Sequence, residues 1–252
     1  MGKADLHVHT VYSHDGSSTI EDVLEHAAKR AELDVIAITD HNTIEGAVRA
    51  QRLGPRYGIE VIVGCEISTA QGHILAYFLK EPIPPRLSAL ETIRRVKAQG
   101  GICVVAHPLA RGISSLKTQD IRELAVEPDV QGTLVGIEVI NGTLLFRASN
   151  RRAGLMCAQV GLAPVGSSDS HVSWTVGHAI TEFPGFAIPD LRIALERGTT
   201  KAVLIAKRRR ANYYFSHIYR HILRRLGWIA WREGPYGPYT YRRLAEVYET
   251  RY

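Results

Sequence analysis

The sequence predicts an α/β fold with a barrel-like succession of strands and helices, followed by a basic appendage. Three observations predict it. Short apolar, β-rich runs alternate with segments of helical periodicity, the pattern of βα units around a largely parallel sheet. The length, 252 residues, suits one α/β barrel with an addition. Histidines and carboxylates recur at or just beyond the predicted strand ends, the edge on which barrel enzymes carry their sites.

Ala4 to Val8 reads as the first strand, and Ser18-Thr19-Ile20-Glu21 as a capping box opening a helix to about Ala31. Asp34 to Thr39 is the second strand, and Thr43 to Arg52 the next helix. Glu60 to Ser68 and His73 to Phe78 read as strands joined in a hairpin about Gly72, with Pro82, Pro84 and Pro85 breaking the chain after them. A helix from Ser88 to Gln99 leads to a strand from Ile102 to Ala106. Next come a helix from Thr118 to Ala125, a strand from Leu134 to Ile140, a helix from Ala148 to Val160 and a strand from Ala163 to Val165. A strand from Ala179 to Phe183, a helix from Pro189 to Arg197 opened by its proline, and a strand from Ala202 to Ala206 complete the order. The sequence has no internal repeat.

Apolar residues make up 45% of the chain and charged ones 22%, ordinary globular usage that excludes a disordered or fibrous chain. The N-terminus carries no apolar signal-peptide core and no run is long enough to span a bilayer, so a cytoplasmic protein is expected. Cys65, Cys103 and Cys157 are odd in number and lie in apolar runs, which fits buried hydrophobes in a reducing compartment rather than a disulfide framework. The net charge of +6 hides an asymmetry. From Lys201 to Tyr252 twelve Lys or Arg face only Glu233, Glu246 and Glu249, a local excess of +9, which leaves the first 200 residues at −3. From Lys207 the composition changes, with a Lys-Arg-Arg-Arg run, an amphipathic helix predicted over Tyr213 to Leu226, then Trp228, Trp231 and a Gly-Pro-Tyr-Gly-Pro-Tyr turn. Such a cationic segment attracts polyanions, among them nucleic acid, a phosphate-rich substrate or an acidic membrane face.

His7 and His9 alternate on one predicted strand, so both point to one face and can reach one metal ion. Asp15 follows in the next loop, Asp40-His41 ends the second strand, Glu66 ends the third and His73 opens its neighbour. His107 ends another strand, Glu138 lies on the next, and Asp169 with His171 closes the series. Each is a weak signal alone, since a single strand histidine is commonly a packed or surface residue. Together they predict a metal cluster. Imidazole suits Zn, Mn, Fe, Co or Ni, and carboxylates bridge ions, so the mixture fits a multinuclear site better than a closed structural zinc.

These segments resemble a known family, the PHP (polymerase and histidinol phosphatase) domain. The resemblance rests on Asp5-Leu6-His7-Val8-His9-Thr10, Ser13-His14-Asp15-Gly16, Ile38-Thr39-Asp40-His41-Asn42, Gly64-Cys65-Glu66-Ile67-Ser68, Ala106-His107-Pro108 and Ser168-Asp169-Ser170-His171, in the family's order. It spans Ala4 to His171, and Val176-Gly177 to Leu204 is similar to the C-terminal segment of short members. It implies a distorted (β/α)7 barrel over residues 1–206, with 175–206 as that associated segment and 207–252 as a separate extension. It also implies two or three divalent ions, Mn, Zn or Fe. One would be held by His7, His9, Glu66 and Asp169. A second would be held by Glu66, His73 and His107, and a third by Asp15, His41 and His171.

Asp5 and Asp40 sit beside metal-type histidines, the place of carboxylates that orient an imidazole, with direct ligation as the alternative; Glu138 is similar in position to a family glutamate, and equally a surface or structural residue. His178 is read as a packed or solvated residue, and His26, His217 and His221 as helical residues away from the site. Arg111, Arg147 and Arg151, with Arg152, are candidates to engage further phosphates, and equally to be solvated charges.

The chemistry expected is phosphoester hydrolysis by a metal-activated water, with Asp169, His41 and His171 in catalytic roles and either histidine or a bound water protonating the leaving group. The chain has no Walker-type loop, no Gly-x-Ser-x-Gly elbow and no Cys/His pair in a nucleophilic context. The basic, aromatic extension favours nucleic-acid ends or nucleotide phosphates as substrate, with RNA or single-stranded DNA as partner. Two alternatives stand beside this: a small-metabolite phosphatase acting on histidinol phosphate, and a catalytically silent binding module.

Overall fold

The computed structural model describes residues 1–110, 112–143 and 146–205. Arg111 and the extension, with its predicted helix from Tyr213 to Leu226, lie outside the described residues.

Nine strands form one sheet: β1 (Gly2–Val8), β2 (Val35–Ile38), β3 (Glu60–Ser68), β4 (His73–Tyr77), β5 (Ile102–Val105), β6 (Leu134–Asn141), β7 (Ala163–Ser167), β8 (Ala179–Phe183) and β9 (Lys201–Leu204). Among the described residues six helices intervene: α1 (Ile20–Lys29), α2 (Glu45–Tyr57), α3 (Ala89–Ala98), α4 (Thr118–Val126), α5 (Arg147–Val160) and α6 (Ile188–Glu196). The strand order is β7-β6-β5-β4-β3-β2-β1-β8-β9. Four pairings, β1–β2, β2–β3, β5–β6 and β6–β7, are parallel. The other four, β3–β4, β4–β5, β1–β8 and β8–β9, are antiparallel. The sheet is therefore mixed where the sequence suggested a largely parallel one. For β4 the cause is local: the connection between β3 and β4 is too short for a crossover, so β4 returns as the second arm of the expected hairpin.

The two ends of the sheet meet through side chains. Thr200 Oγ1 donates to the Pro164 carbonyl at 2.8 Å, while Thr181 Oγ1 donates to the Gly166 carbonyl at 2.8 Å and accepts from its amide at 3.0 Å. These bonds bring β7 against β8 and β9 and make the barrel nearly closed.

The helices bury one stripe each. In α1 the buried residues are Ile20, Val23, Leu24 and Ala27, the spacing of a helix face turned to a core. Thr19 rather than Ser18 is its N-cap, accepting from the Asp22 amide at 3.1 Å, one residue later than the predicted capping box. Ser18 instead accepts from the Ser173 amide at 2.7 Å. The second helix runs to Tyr57, past Arg52, and stops where Gly58 takes φ +71°.

Two apolar layers result. One lies between sheet and helices and contains Val23, Leu24, Ala47, Ile93, Ile121 and Met156 with Ile36, Ile38, Val63, Ile74 and Val105. The other fills the barrel interior with Leu6, Val35, Ile62, Leu75, Tyr77, Val104, Val165 and Phe183, and α6 contributes Leu191, Ala194 and Leu195 to it. Each such side chain contributes roughly 1.5–3 kcal/mol by leaving water. The Ile188 amide donates to Glu60 at 2.6 Å and Arg192 to the Gly100 carbonyl at 3.0 Å, so α6 closes the end of the barrel where β3 and β5 begin. The opposite end is left for polar residues.

In β1 the register against β2 shifts between Asp5 and Val8. Leu6 can thus pack in the interior layer while Val8 joins the sheet–helix layer. His7, within the shift, and His9, beyond it, then stand together above the interior core. All three cysteines are free and buried, as small hydrophobes.

Candidate metal centre

Glu66, at the C-terminal half of β3, is 1% exposed and faces five imidazoles. Its Oε2 lies 3.2 Å from His7 Nε2, 3.3 Å from His9 Nε2 and 3.2 Å from His41 Nδ1. Its Oε1 lies 2.7 Å from His73 Nδ1 and 2.8 Å from His107 Nε2. Four strands, β1, β2, β4 and β5, thus bring their imidazoles to one carboxylate on β3. Asp169, just past β7, turns Oδ1 to His7 Nε2 and His9 Nε2, each at 3.5 Å, and to His171 Nδ1 at 3.7 Å. Asp15 completes the rim with Oδ2 at 3.1 Å from His171 Nε2 and 3.3 Å from His41 Nε2.

The motif around Asp15 has a steric explanation. Ser13 Oγ donates to Asp15 Oδ1 at 2.7 Å, and Ser17 donates twice to the His171 carbonyl, from its amide and its hydroxyl, at 3.0 Å each. Between them Gly16 presses on residue 10: a Cβ there would overlap the Thr10 carbonyl oxygen. Only glycine fits. His14 stays at the edge, its Nε2 3.7 Å from Asp15 and its ring 4.9 Å from that of His41.

Two site residues hold left-handed backbone, His107 at φ +26° and Asp169 at φ +52°. For non-glycine residues such conformations cost of order 1–3 kcal/mol each and persist only where the surroundings enforce them.

The carboxylates behind the centre differ in what they hold. Glu138 accepts from His7 Nδ1 at 3.0 Å, from the His107 amide at 2.6 Å, from Asn141 Nδ2 at 3.1 Å and from Ser167 Oγ. It orients an imidazole. Asp5 and Asp40, for which that role was expected, hold other groups: Asp5 backbone amides, and Asp40 both the amide and the hydroxyl of Thr10. Asp5 accepts from the amides of Ser168 (3.0 Å), Gly177 (2.8 Å) and His7 (3.4 Å). Asp40 accepts from the Thr10 amide at 2.6 Å and its hydroxyl at 2.8 Å. These bonds fix the loops that carry Asp169 and the end of β1.

Burial disfavours charge throughout this region, and the crowded opposite charges overcome it. The His9 imidazole is pushed up to about 10 because Asp169 and Glu66 outweigh its burial. Burial is likewise overcome at Glu66 by His41, His73 and His7, and at Asp169 by His7 and His9, so both carboxyls sit well below the usual range. At His14 burial wins over Asp15 and lowers the imidazole to about 4. Burial also raises Asp5 to about 6, despite the bonds it accepts.

The donor set fits divalent cations. Buried His7 Nε2, His9 Nδ1, His9 Nε2 and His107 Nδ1 have no hydrogen-bond partner, a costly state for polar atoms out of water unless an ion takes some of their lone pairs. Distances group the candidates as His9, Asp15, His41 and His171; His7, His9 and Glu66; His7, His107 and Asp169; and His41, Glu66 and His73. The contacts the resemblance implied are present, Glu66 with His73 and His107 and Asp15 with His41 and His171, and the groups overlap further. His107 lies with His7 and Asp169, and His9 also reaches the rim group, because the His7 and His9 rings occupy the middle of the cluster.

Of the candidate phosphate-binding arginines, only the side chains of Arg151 and Arg152 are among the described residues. Arg151 is exposed on α5. Arg152 is exposed too and donates to the Leu109 carbonyl at 2.9 Å. Arg111 and the Arg147 side chain lie outside the described residues. Sequence reasoning missed Asn141, Ser167 and Thr10, each buried against a carboxylate of the site.

Nearly closed α/β barrel, histidine-rich centre at one end of it: these define a metal-dependent hydrolase. The chain belongs to the PHP domain family, whose model matches residues 5–248, and its class is that of metal-dependent phosphoesterases. The match continues well beyond His171. An uncharacterized protein of Methanocaldococcus jannaschii is 44% identical over 116 residues, 42% of this chain and 67% of its own length. Phosphoribosyl 1,2-cyclic phosphate 1,2-diphosphodiesterase of Eggerthella lenta is 42% identical over 86 residues, and the match spans only 32% of either chain. The crystal structure of a two-domain Bacteroides vulgatus protein containing a predicted PHP-like metal-dependent phosphoesterase shares the fold. It superposes with a TM-score of 0.65 at 23% identity, over 86% of this chain and 69% of that one. Among the described residues no helix is long and apolar enough to cross a membrane.

Proposed function

We propose that this chain hydrolyses phosphoesters of nucleic-acid ends or nucleotides, at a centre in which His7, His9, Asp15, His41, Glu66, His73, His107, Asp169 and His171 hold two or three divalent ions. The observation that carries the metal assignment is Glu66, buried among five imidazoles with unpartnered buried nitrogens beside it. Bound ions supply two things there: a water acidic enough to react near neutral pH and positive charge against the phosphate oxygens.

The chain's own residues prepare that chemistry. The His7 Nδ1 contact with Glu138 leaves Nε2 turned to the centre. Both oxygens of Glu66 are presented inward, so a single carboxylate serves opposite sides of the cluster. The interior apolar layer beneath keeps water from the centre except through the rim. At that rim His171 is 24% exposed, the most open of the six candidate imidazoles, and it is assigned to the side from which substrate enters.

Substrate class follows from charge. From Lys201 to Tyr252 twelve Lys or Arg face three Glu, and this excess of positive charge supports a polyanionic substrate. A second reading is supported by the name of the Eggerthella lenta relative: a small phosphorylated sugar as substrate.

One experiment separates them. Full-length protein and a chain truncated at Lys207 are assayed with Mn²⁺ on 5′-phosphorylated RNA, single-stranded DNA, nucleoside bisphosphates, phosphoribosyl 1,2-cyclic phosphate and histidinol phosphate. Nucleic-acid turnover that falls with salt and with truncation is expected. Turnover confined to the small phosphates, unchanged by truncation, would sink the nucleic-acid reading.

A further inference from the structure

Glu138 and Asn141 lie on the same side of β6, which a regular strand does not allow for residues three apart. The reason is a slip in register. Glu138 stands opposite Val165, but Ile140 stands opposite Gly166 and Asn141 opposite Ser167, so β6 carries one more residue than β7 at that point. The additional residue restores the phase and brings the Asn141 amide against Glu138.

There, Nδ2 of Asn141 donates to two carboxylates at once, Glu138 Oε2 at 3.1 Å and Asp169 Oδ2 at 3.0 Å. The remainder of the residue is tied down. Its Oδ1 accepts from the Thr143 amide at 2.9 Å, its own amide donates to Asn150 Oδ1 at 3.2 Å, and its carbonyl accepts from Asn150 Nδ2 at 3.0 Å. Asp169 consequently has one oxygen held by Asn141 and the other facing His7 and His9. Glu138 Oε2 also accepts from the His107 amide. Both site residues with left-handed backbone, His107 and Asp169, are thus bound to one buried pair.

We propose that Asn141 is a positioning residue of the metal centre. It occupies Asp169 Oδ2 so that Oδ1 stays turned to the ions, and it couples that orientation to His107 through Glu138. This rests on the metal reading of the centre. A primary amide suits the position because its NH₂ brings two protons to two acceptors, where aspartate would add a third negative charge and leucine would take one donor from each carboxylate.

The test compares wild type with Asn141→Ala and Asn141→Ser in the full chain. Each is stripped of metal, titrated calorimetrically with Mn²⁺ and with Zn²⁺, and melted with and without the ion. The serine variant keeps one donor and a smaller cavity, so it serves if the alanine variant does not fold. Affinity for at least one ion is expected to fall by about 10- to 100-fold, with serine falling less than alanine and with ion-induced thermal stabilisation reduced in the same order. Wild-type affinity and stoichiometry in both variants, alongside a lower melting temperature, would assign Asn141 a structural role only and overturn the proposal. A wild-type chain that takes up neither ion overturns this proposal and the metal reading together.

Discussion

His7 Nδ1 lies 3.0 Å from Glu138 Oε1, across 131 residues of sequence, and this contact decides which nitrogen of His7 faces the centre. Glu138 is wholly buried and accepts from four donors. Exchange of Glu138 for Gln keeps its shape but leaves one acceptor oxygen for those donors. Glu138→Gln is expected to cost about 1–3 kcal/mol of stability from the unpaired groups and about 10- to 100-fold in metal affinity. Thermal melting and metal titration read the two effects separately; unchanged affinity would remove Glu138 from the orienting role.

Among the described residues Glu66 is the carboxylate in contact with five imidazoles. In Glu66→Gln the charge that neutralises bound cations is gone while the side-chain volume remains. If the lost interaction is worth about 4 kcal/mol, turnover drops by ~10³. Chelation should abolish wild-type turnover and added Mn²⁺ restore it. Restoration of the variant to wild-type rate at the same Mn²⁺ would contradict the central place given to this residue.

Gly16 packs its backbone on the Thr10 carbonyl, and Asp15 reaches His41 and His171 from that loop. Gly16→Ala must displace the loop. Overpacking of this kind costs about 1–3 kcal/mol, and each kcal/mol lowers the melting temperature by about 2–4 °C in a domain of this size. Activity should fall further than stability, since Asp15 moves with the loop; a variant with full activity would show the contact to be soft.

Asp190 accepts from the Phe186 amide at 3.0 Å and the Ala187 amide at 3.2 Å, and these bonds hold its carboxyl below the ordinary value. A carboxyl depressed by folding stabilises above its unfolded pKa, about 3.9, and that contribution is lost as pH falls through the folded value. Asp190→Asn should therefore melt lower than wild type at pH 7, with the difference shrinking below about pH 4. A difference constant from pH 7 to pH 3 would mean that it does not come from the carboxylate's charge, and no difference at pH 7 would mean that the amide serves the α6 entrance as well as the carboxylate does.

Much of the site was legible because metal chemistry restricts residue type. His7-Val8-His9 needs only strand alternation to put two imidazoles on one face, and that face was readable from period two. Glu66, His107 and Asp169 were readable as polar residues ending apolar runs. Asn141 was not, since three residues from Glu138 on a regular strand it would face away; only the slip against β7 turns it inward. Asp5 and Asp40 look alike in sequence, each close to a metal-type histidine, yet both hold backbone amides. Which donor a buried carboxylate meets depends on segments far away in sequence, here residues 168 and 177 for Asp5.

The sequence by itself determined the α/β alternation, the polar end of the barrel and the inventory of imidazoles and carboxylates placed there, because periodicity and residue chemistry are local properties. The tertiary structure decided the mixed direction of the sheet, the five-imidazole surround of Glu66, the division of labour between Glu138 and Asp5, and the inward turn of Asn141. Those depend on strand pairing and register, where a shift of one residue exchanges the two faces of a strand.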